Sequence, residues 1–179
     1  SFNKQTVSNT SFSASSLVST QGKYIVTVVC FNADDNAVQG SGVILSKTSN
    51  NASIVITNQH VIQGARATNL TYPCLIAYSP NPTSNFTNIY YANPVYWADR
   101  ASTATMNNYD FGYLEIRQEV NINGDKIVPI FGTSLILADN QRPTVCKSSE
   151  LQAGKELIVL GYAGVGGNYL SVKEGIVSG

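Results

Sequence analysis

Ile54-Val55-Ile56-Thr57-Asn58-Gln59-His60-Val61-Ile62 is the stretch on which the fold turns. Its apolar, β-branched start reads as a buried strand, ended by a polar Thr-Asn-Gln step. Directly after that step stands His60, the only histidine in the chain. An imidazole at the mouth of a buried strand suits proton transfer, because an unperturbed imidazole titrates near neutrality. The position equally suits a half-buried histidine tied down by one backbone hydrogen bond, so its surroundings must decide.

Upstream, Tyr24 to Phe31 is rich in β-branched and aromatic residues and reads as a strand. Asp34-Asp35-Asn36 supplies a turn, and Val38 to Leu45 reads as a second strand, broken by Gly40 and Gly42. Glycine weakens a strand, and is tolerated where a backbone or a ligand approaches closely. A polar turn over Ser46 to Ser53 leads into the His60 strand, so three strands make an antiparallel meander. Before them, half of Ser1 to Thr20 is Ser or Thr, which predicts an arm or linker over residues 1–21.

Downstream, Val61 to Ala67 fits one helical turn and Leu70 to Tyr78 another strand. Ser79 to Asn88, with two prolines, reads as loop; Ile89-Tyr90-Tyr91 and Pro94 to Trp97 read as separate aromatic strands. The second informative stretch is Tyr109-Asp110-Phe111-Gly112-Tyr113-Leu114-Glu115-Ile116. Alternation puts Gly112, Leu114 and Ile116 on one face, with Asp110 at its leading end. A carboxylate there can be sheltered enough to accept a hydrogen bond from an imidazole, or it can simply close the preceding turn. Glu119 to Gly132 is turn-rich and reads as a connection over residues 119–133. Ser134 to Ala138, Thr144 to Cys146, Leu151 to Tyr162 and Tyr169 to Gly179 supply further apolar segments. No sustained helical periodicity appears, and the class is all-β, built from many short strands.

Composition removes several functions. Charged residues are 12% of the 179, about half the usual share, and the formal net charge is zero. With no block of Lys or Arg, capture of nucleic acid or of an anionic membrane has no footing. No apolar run is long enough to span a bilayer, so no membrane insertion is expected. Cys30, Cys74 and Cys146 are widely spaced and there is a single histidine, so no metal centre and no cofactor are expected. The first residues lack a signal-peptide pattern; the expectation is a secreted, periplasmic or cell-surface protein whose export signal lies outside the chain.

Taken in series, these segments resemble the trypsin-like serine peptidases, closest to the bacterial HtrA-type branch. Gly40-Ser41-Gly42-Val43-Ile44-Leu45 is similar to that family's strand before the histidine. Thr57-Asn58-Gln59-His60-Val61 matches its Thr-Asn-x-His-Val motif, and Asp110 to Ile116 its Asp-x-Ala-x-Leu-x-Ile strand, with Gly112 where alanine is common. Leu151 to Tyr162 and Gly175-Ile176-Val177-Ser178-Gly179 match two later segments. The resemblance implies a chymotrypsin-like double β-barrel: a first barrel over residues 22–118 and a partial, incomplete second barrel over 134–179. It implies His60 as general base, Asp110 as the carboxylate orienting it (Asp99 in reserve), and a protein or peptide substrate. Cys30 and Cys74 both fall in the first barrel, which permits a disulfide between them.

The family's nucleophile lies downstream of its Gly-x-Val-Ser-Gly strand, and the chain ends within that motif at Gly179. Ser178 belongs to the strand, and Ser41 lies on the wrong element. The expectation is a protease fragment that lacks its serine and is inactive alone. Two other readings keep the fold: a catalytically inactive binding module, and a peptidase with cysteine at the missing position.

Overall fold

The computed structural model describes residues 13–47, 52–82, 85–97, 110–123, 126–130, 143–162 and 169–178. The meander is present: β1 (Ile25–Phe31), β2 (Ala37–Lys47) and β3 (Ser53–Thr57) pair antiparallel in that order. β4 (Cys74–Tyr78) pairs with the free edge of β1, followed outward by β5 (Asn88–Trp97) and β6 (Gly112–Asn123). β6 then pairs with β3, so six strands close on themselves into a barrel. Closure removes the exposed edges that an open sheet would present.

Alternation fills the barrel. Val26, Val28 and Cys30 of β1, Ile44 of β2, Val55 of β3, Ile76 of β4, Tyr90 and Ala92 of β5, and Leu114 and Ile116 of β6 form one buried cluster. Cys30 and Cys74 are register partners on β1 and β4 and form a disulfide inside it. The two strand glycines have a packing cause. A Cβ on Gly42 would stand 2.5 Å from Val55 Cγ1, and one on Gly40 would stand 2.5 Å from Val61 Cγ2.

Several local expectations change. Part of the Ser/Thr arm is a helix, α1 (Ala14–Gln21), capped where Ser13 Oγ accepts the Ser16 amide at 3.2 Å. It buries no residue, and the Ser19 and Thr20 hydroxyls donate back to the Ser16 carbonyl. The fourth strand starts only at Cys74. The two aromatic strands are one, and β5 runs through Pro94 by shifting register between Pro94 and Tyr96. The turn-rich connection is in large part sheet: β6 continues to Asn123, and β7 (Lys126–Pro129) folds back on it, Asn123 opposite Lys126. Thr144 to Cys146 belongs to no strand, while Ser134 to Ala138 and Asp99 lie outside the described residues.

Beyond the barrel, β8 (Glu156–Tyr162) and β9 (Leu170–Ile176) form a two-stranded antiparallel hairpin, Gly161 opposite Ser171. Its inner end is anchored by Tyr162, which is buried and lies 4.9 Å from the Phe86 ring. Leu157, Val159 and Ile176 are exposed. Among the described residues this sheet has two strands and apolar exposed positions, too little to be stable by itself. The molecule is thus an incomplete chymotrypsin-like fold: one closed barrel, an added strand, and part of a second sheet. No helix among the described residues is long and apolar enough to cross a membrane.

Candidate active site

Closure of the barrel builds the site. On β3 and β6, Thr57 pairs with Gly112, so the end of one strand meets the start of the other. His60 follows Thr57 by one turn of chain, and Asp110 precedes Gly112 by two residues. Fifty positions of sequence therefore separate two groups that barrel closure makes neighbours.

His60 sits on α2 (Gln59–Ile62), a four-residue helix directly after β3. Val61 and Ile62 are buried and hold α2 on the barrel, and Val61 rests in the notch left by Gly40. The imidazole Nδ1 is 2.6 Å from Asp110 Oδ2, while Asp110 Oδ1 accepts the His60 backbone amide at 3.0 Å. Asn58 does not cap the helix with its own side chain. Its Nδ2 instead donates to the Asp110 carbonyl at 3.2 Å and to Oδ2 at 3.3 Å. The carboxylate thus takes one of the amides that a helix start leaves without an internal partner, and it is locked by donors from two residues.

The chemistry follows from donors and acceptors. An ionised carboxylate only accepts, so the proton between the groups belongs to Nδ1. Nε2 is then a free acceptor in the neutral ring, able to take a proton from a hydroxyl or thiol. The imidazole side chain is 56% exposed and the carboxylate 26%, so the ring stands open to solvent while the group that holds it is more sheltered.

Beside the dyad lies a groove of about 240 Å³, lined by Ser41, Gly42, Thr57, Asp110, Phe111 and Leu160 among others. Leu160 belongs to β8, so the second unit borders the site. A larger hollow of about 370 Å³ is lined only by hairpin residues such as Glu156, Ile158 and Ile176, and none of the dyad residues reaches it. The smaller groove is the one relevant to chemistry. Among the described residues no group of three or more His, Cys, Asp or Glu side chains stands together as a metal site.

His60 and Asp110, the two site residues named from sequence, are brought together. The sequence reading assigned no role to Asn58, although it is the Asn of the Thr-Asn-x-His-Val match. It also set Ser41 aside, although its hydroxyl is engaged: Oγ accepts the Tyr162 amide at 2.8 Å and donates to the Tyr162 carbonyl at 3.1 Å.

No protein-family model matches the chain, and no curated protein does. Solved structures do match. The HtrA-type protease AlgW with tripeptide superposes with a TM-score of 0.58 at 19% identity, covering 94% of this chain and 40% of that one. A variant of AlgW with tripeptide gives the same TM-score and coverage at 18% identity. The chain has the β-barrel fold of HtrA-type proteases, and spans less than half the length of those it matches.

Proposed function

We propose that this chain is the histidine- and aspartate-bearing part of a trypsin-like serine endopeptidase that acts on protein or peptide substrates outside the cytoplasm. The observation that carries the reading is the 2.6 Å contact between the sole histidine and Asp110, made where β3 and β6 close the barrel. His60 Nε2 takes the proton of a serine hydroxyl as its oxygen attacks the scissile carbonyl. The imidazolium then gives that proton to the departing amine, and a water repeats the sequence to release the acyl group. Asp110 keeps Nδ1 protonated and stabilises the cation without itself taking the proton.

Among the described residues no serine hydroxyl is recorded in contact with the His60 ring. Ser41 Oγ is committed to Tyr162 in both directions, and by the resemblance the nucleophile follows the β9 motif. The buried Cys30–Cys74 disulfide supports an oxidising compartment. Asp110 holds Nδ1 and leaves the far ring nitrogen turned away from it, an arrangement that proton transfer requires and partner binding does not, which favours the peptidase reading.

Asp110→Asn tests it. A carboxamide can turn an N–H toward Nδ1 and favour the other tautomer, so in the full-length protein kcat for a peptide substrate falls by about 10⁴-fold with KM little changed. The 179-residue chain alone shows no peptide hydrolysis. Inhibitor-sensitive hydrolysis by that chain, or an Asp110→Asn protein with undiminished kcat, sinks the reading.

A further inference from the structure

Ser41 joins the two halves of the molecule at the point where the site is built. Its hydroxyl serves both backbone groups of Tyr162, accepting the amide at 2.8 Å and donating to the carbonyl at 3.1 Å. Its own carbonyl accepts the Thr57 hydroxyl at 2.7 Å, and Thr57 is the last residue of the strand that leads to His60. One residue therefore grips β8 through its side chain and the His60 strand through its main chain. The fit is close on both sides. A Cβ on Gly161 would stand 3.1 Å from Ser41 Oγ, close enough that the hydroxyl would have to give by a few tenths of an ångström.

We propose that Ser41 is a positioning residue, a clip that sets the hairpin β8–β9 against the His60–Asp110 dyad. The proposal rests on the peptidase reading for its consequence: elements that follow β9 meet the imidazole at a distance fixed through this clip. A serine suits the task because a hydroxyl is donor and acceptor at once, whereas an ammonium only donates and an ionised carboxylate only accepts.

The test has two arms. In the 179-residue chain, Ser41→Ala speeds hydrogen exchange at the Tyr162 amide by roughly tenfold, as expected for one lost hydrogen bond. The His60 Nδ1–H resonance persists, since the dyad's own bonds are untouched. Ser41→Thr keeps the hydroxyl and restores slow exchange; Gly161→Ala, which crowds the hydroxyl from the other side, reproduces the fast exchange. In the full-length protein Ser41→Ala lowers kcat by roughly tenfold at constant active-site titre, with the pH profile unmoved, and Ser41→Thr recovers it. Unchanged exchange at Tyr162 in folded Ser41→Ala and Gly161→Ala overturns the clip. Fast exchange with full kcat overturns the positioning role. An unsubstituted full-length protein without activity overturns the peptidase reading instead, and the exchange arm still decides the clip.

Discussion

Gly40→Ala should loosen the His60–Asp110 contact without touching either of its residues. A Cβ at position 40 would stand 2.5 Å from Val61 Cγ2 and 3.4 Å from Cγ1. Carbon atoms rest at about 3.5–4.0 Å, so roughly 1 Å of overlap must be relieved. Val61 cannot yield by rotation, being β-branched and only 1% exposed. Overpacking of this kind costs about 1–3 kcal/mol, and Tm falls by on the order of 5 °C for a chain of this size. Relief comes from moving α2, which carries His60 next to Val61, so the 2.6 Å bond to Asp110 lengthens. Val61→Ala alone costs about 2 kcal/mol through lost burial and a cavity. In the double variant the new methyl fills that cavity, so the combined cost falls below the sum of the two by about 1 kcal/mol or more. Thermal unfolding of the four proteins, with the His60 Nδ1–H signal followed by NMR, measures both effects. Strictly additive costs, or a Gly40→Ala protein with unchanged Tm and signal, would refute the notch.

Replacing Cys30 and Cys74 together by serine releases a loop closed across 44 residues, for a loss of about 4 kcal/mol in the chain-entropy account; urea unfolding should show a lowered midpoint, and an unmoved one contradicts it. Alkaline pH acts through Tyr90, whose hydroxyl is pushed up to about 12 by burial, then by the Glu119 carboxylate and by Tyr78. Its folded value lies above its unfolded one, so the associated stability is whole below pH 10 and is lost as pH rises toward 12. Tyr90→Phe should flatten that part of the stability profile measured by denaturant titration, and an identical slope counts against the assignment.

Much of this was legible because the signals were local. The β-branched run before His60 and the alternation after Asp110 each fix a strand, and a strand fixes which way its ends point. The glycines at 40 and 42 announced a close approach, though only the packed structure names Val61 and Val55 as the groups that approach. What escaped was long-range or compensated. β5 passes through Pro94 because a register shift absorbs the missing donor, which no local pattern encodes. The Asn- and Gly-bearing segment after Glu119 reads as a connection, yet β6 runs through it to Asn123 and Lys126–Pro129 pairs back on it. α1 forms from an arm whose composition argued against any element; its Ser13 cap requires no buried face. Ser41 looked idle because its partner, Tyr162, lies 121 residues away.

The most direct test of the central claim is to treat the full-length protein with a fluorophosphonate, a reagent that captures activated serine hydroxyls, and to map the labelled residue by mass spectrometry before and after His60→Ala. The account predicts a single labelled serine outside residues 1–179, with labelling abolished by the substitution. No labelling, labelling at Ser41 or Ser178, or labelling indifferent to His60 would contradict it.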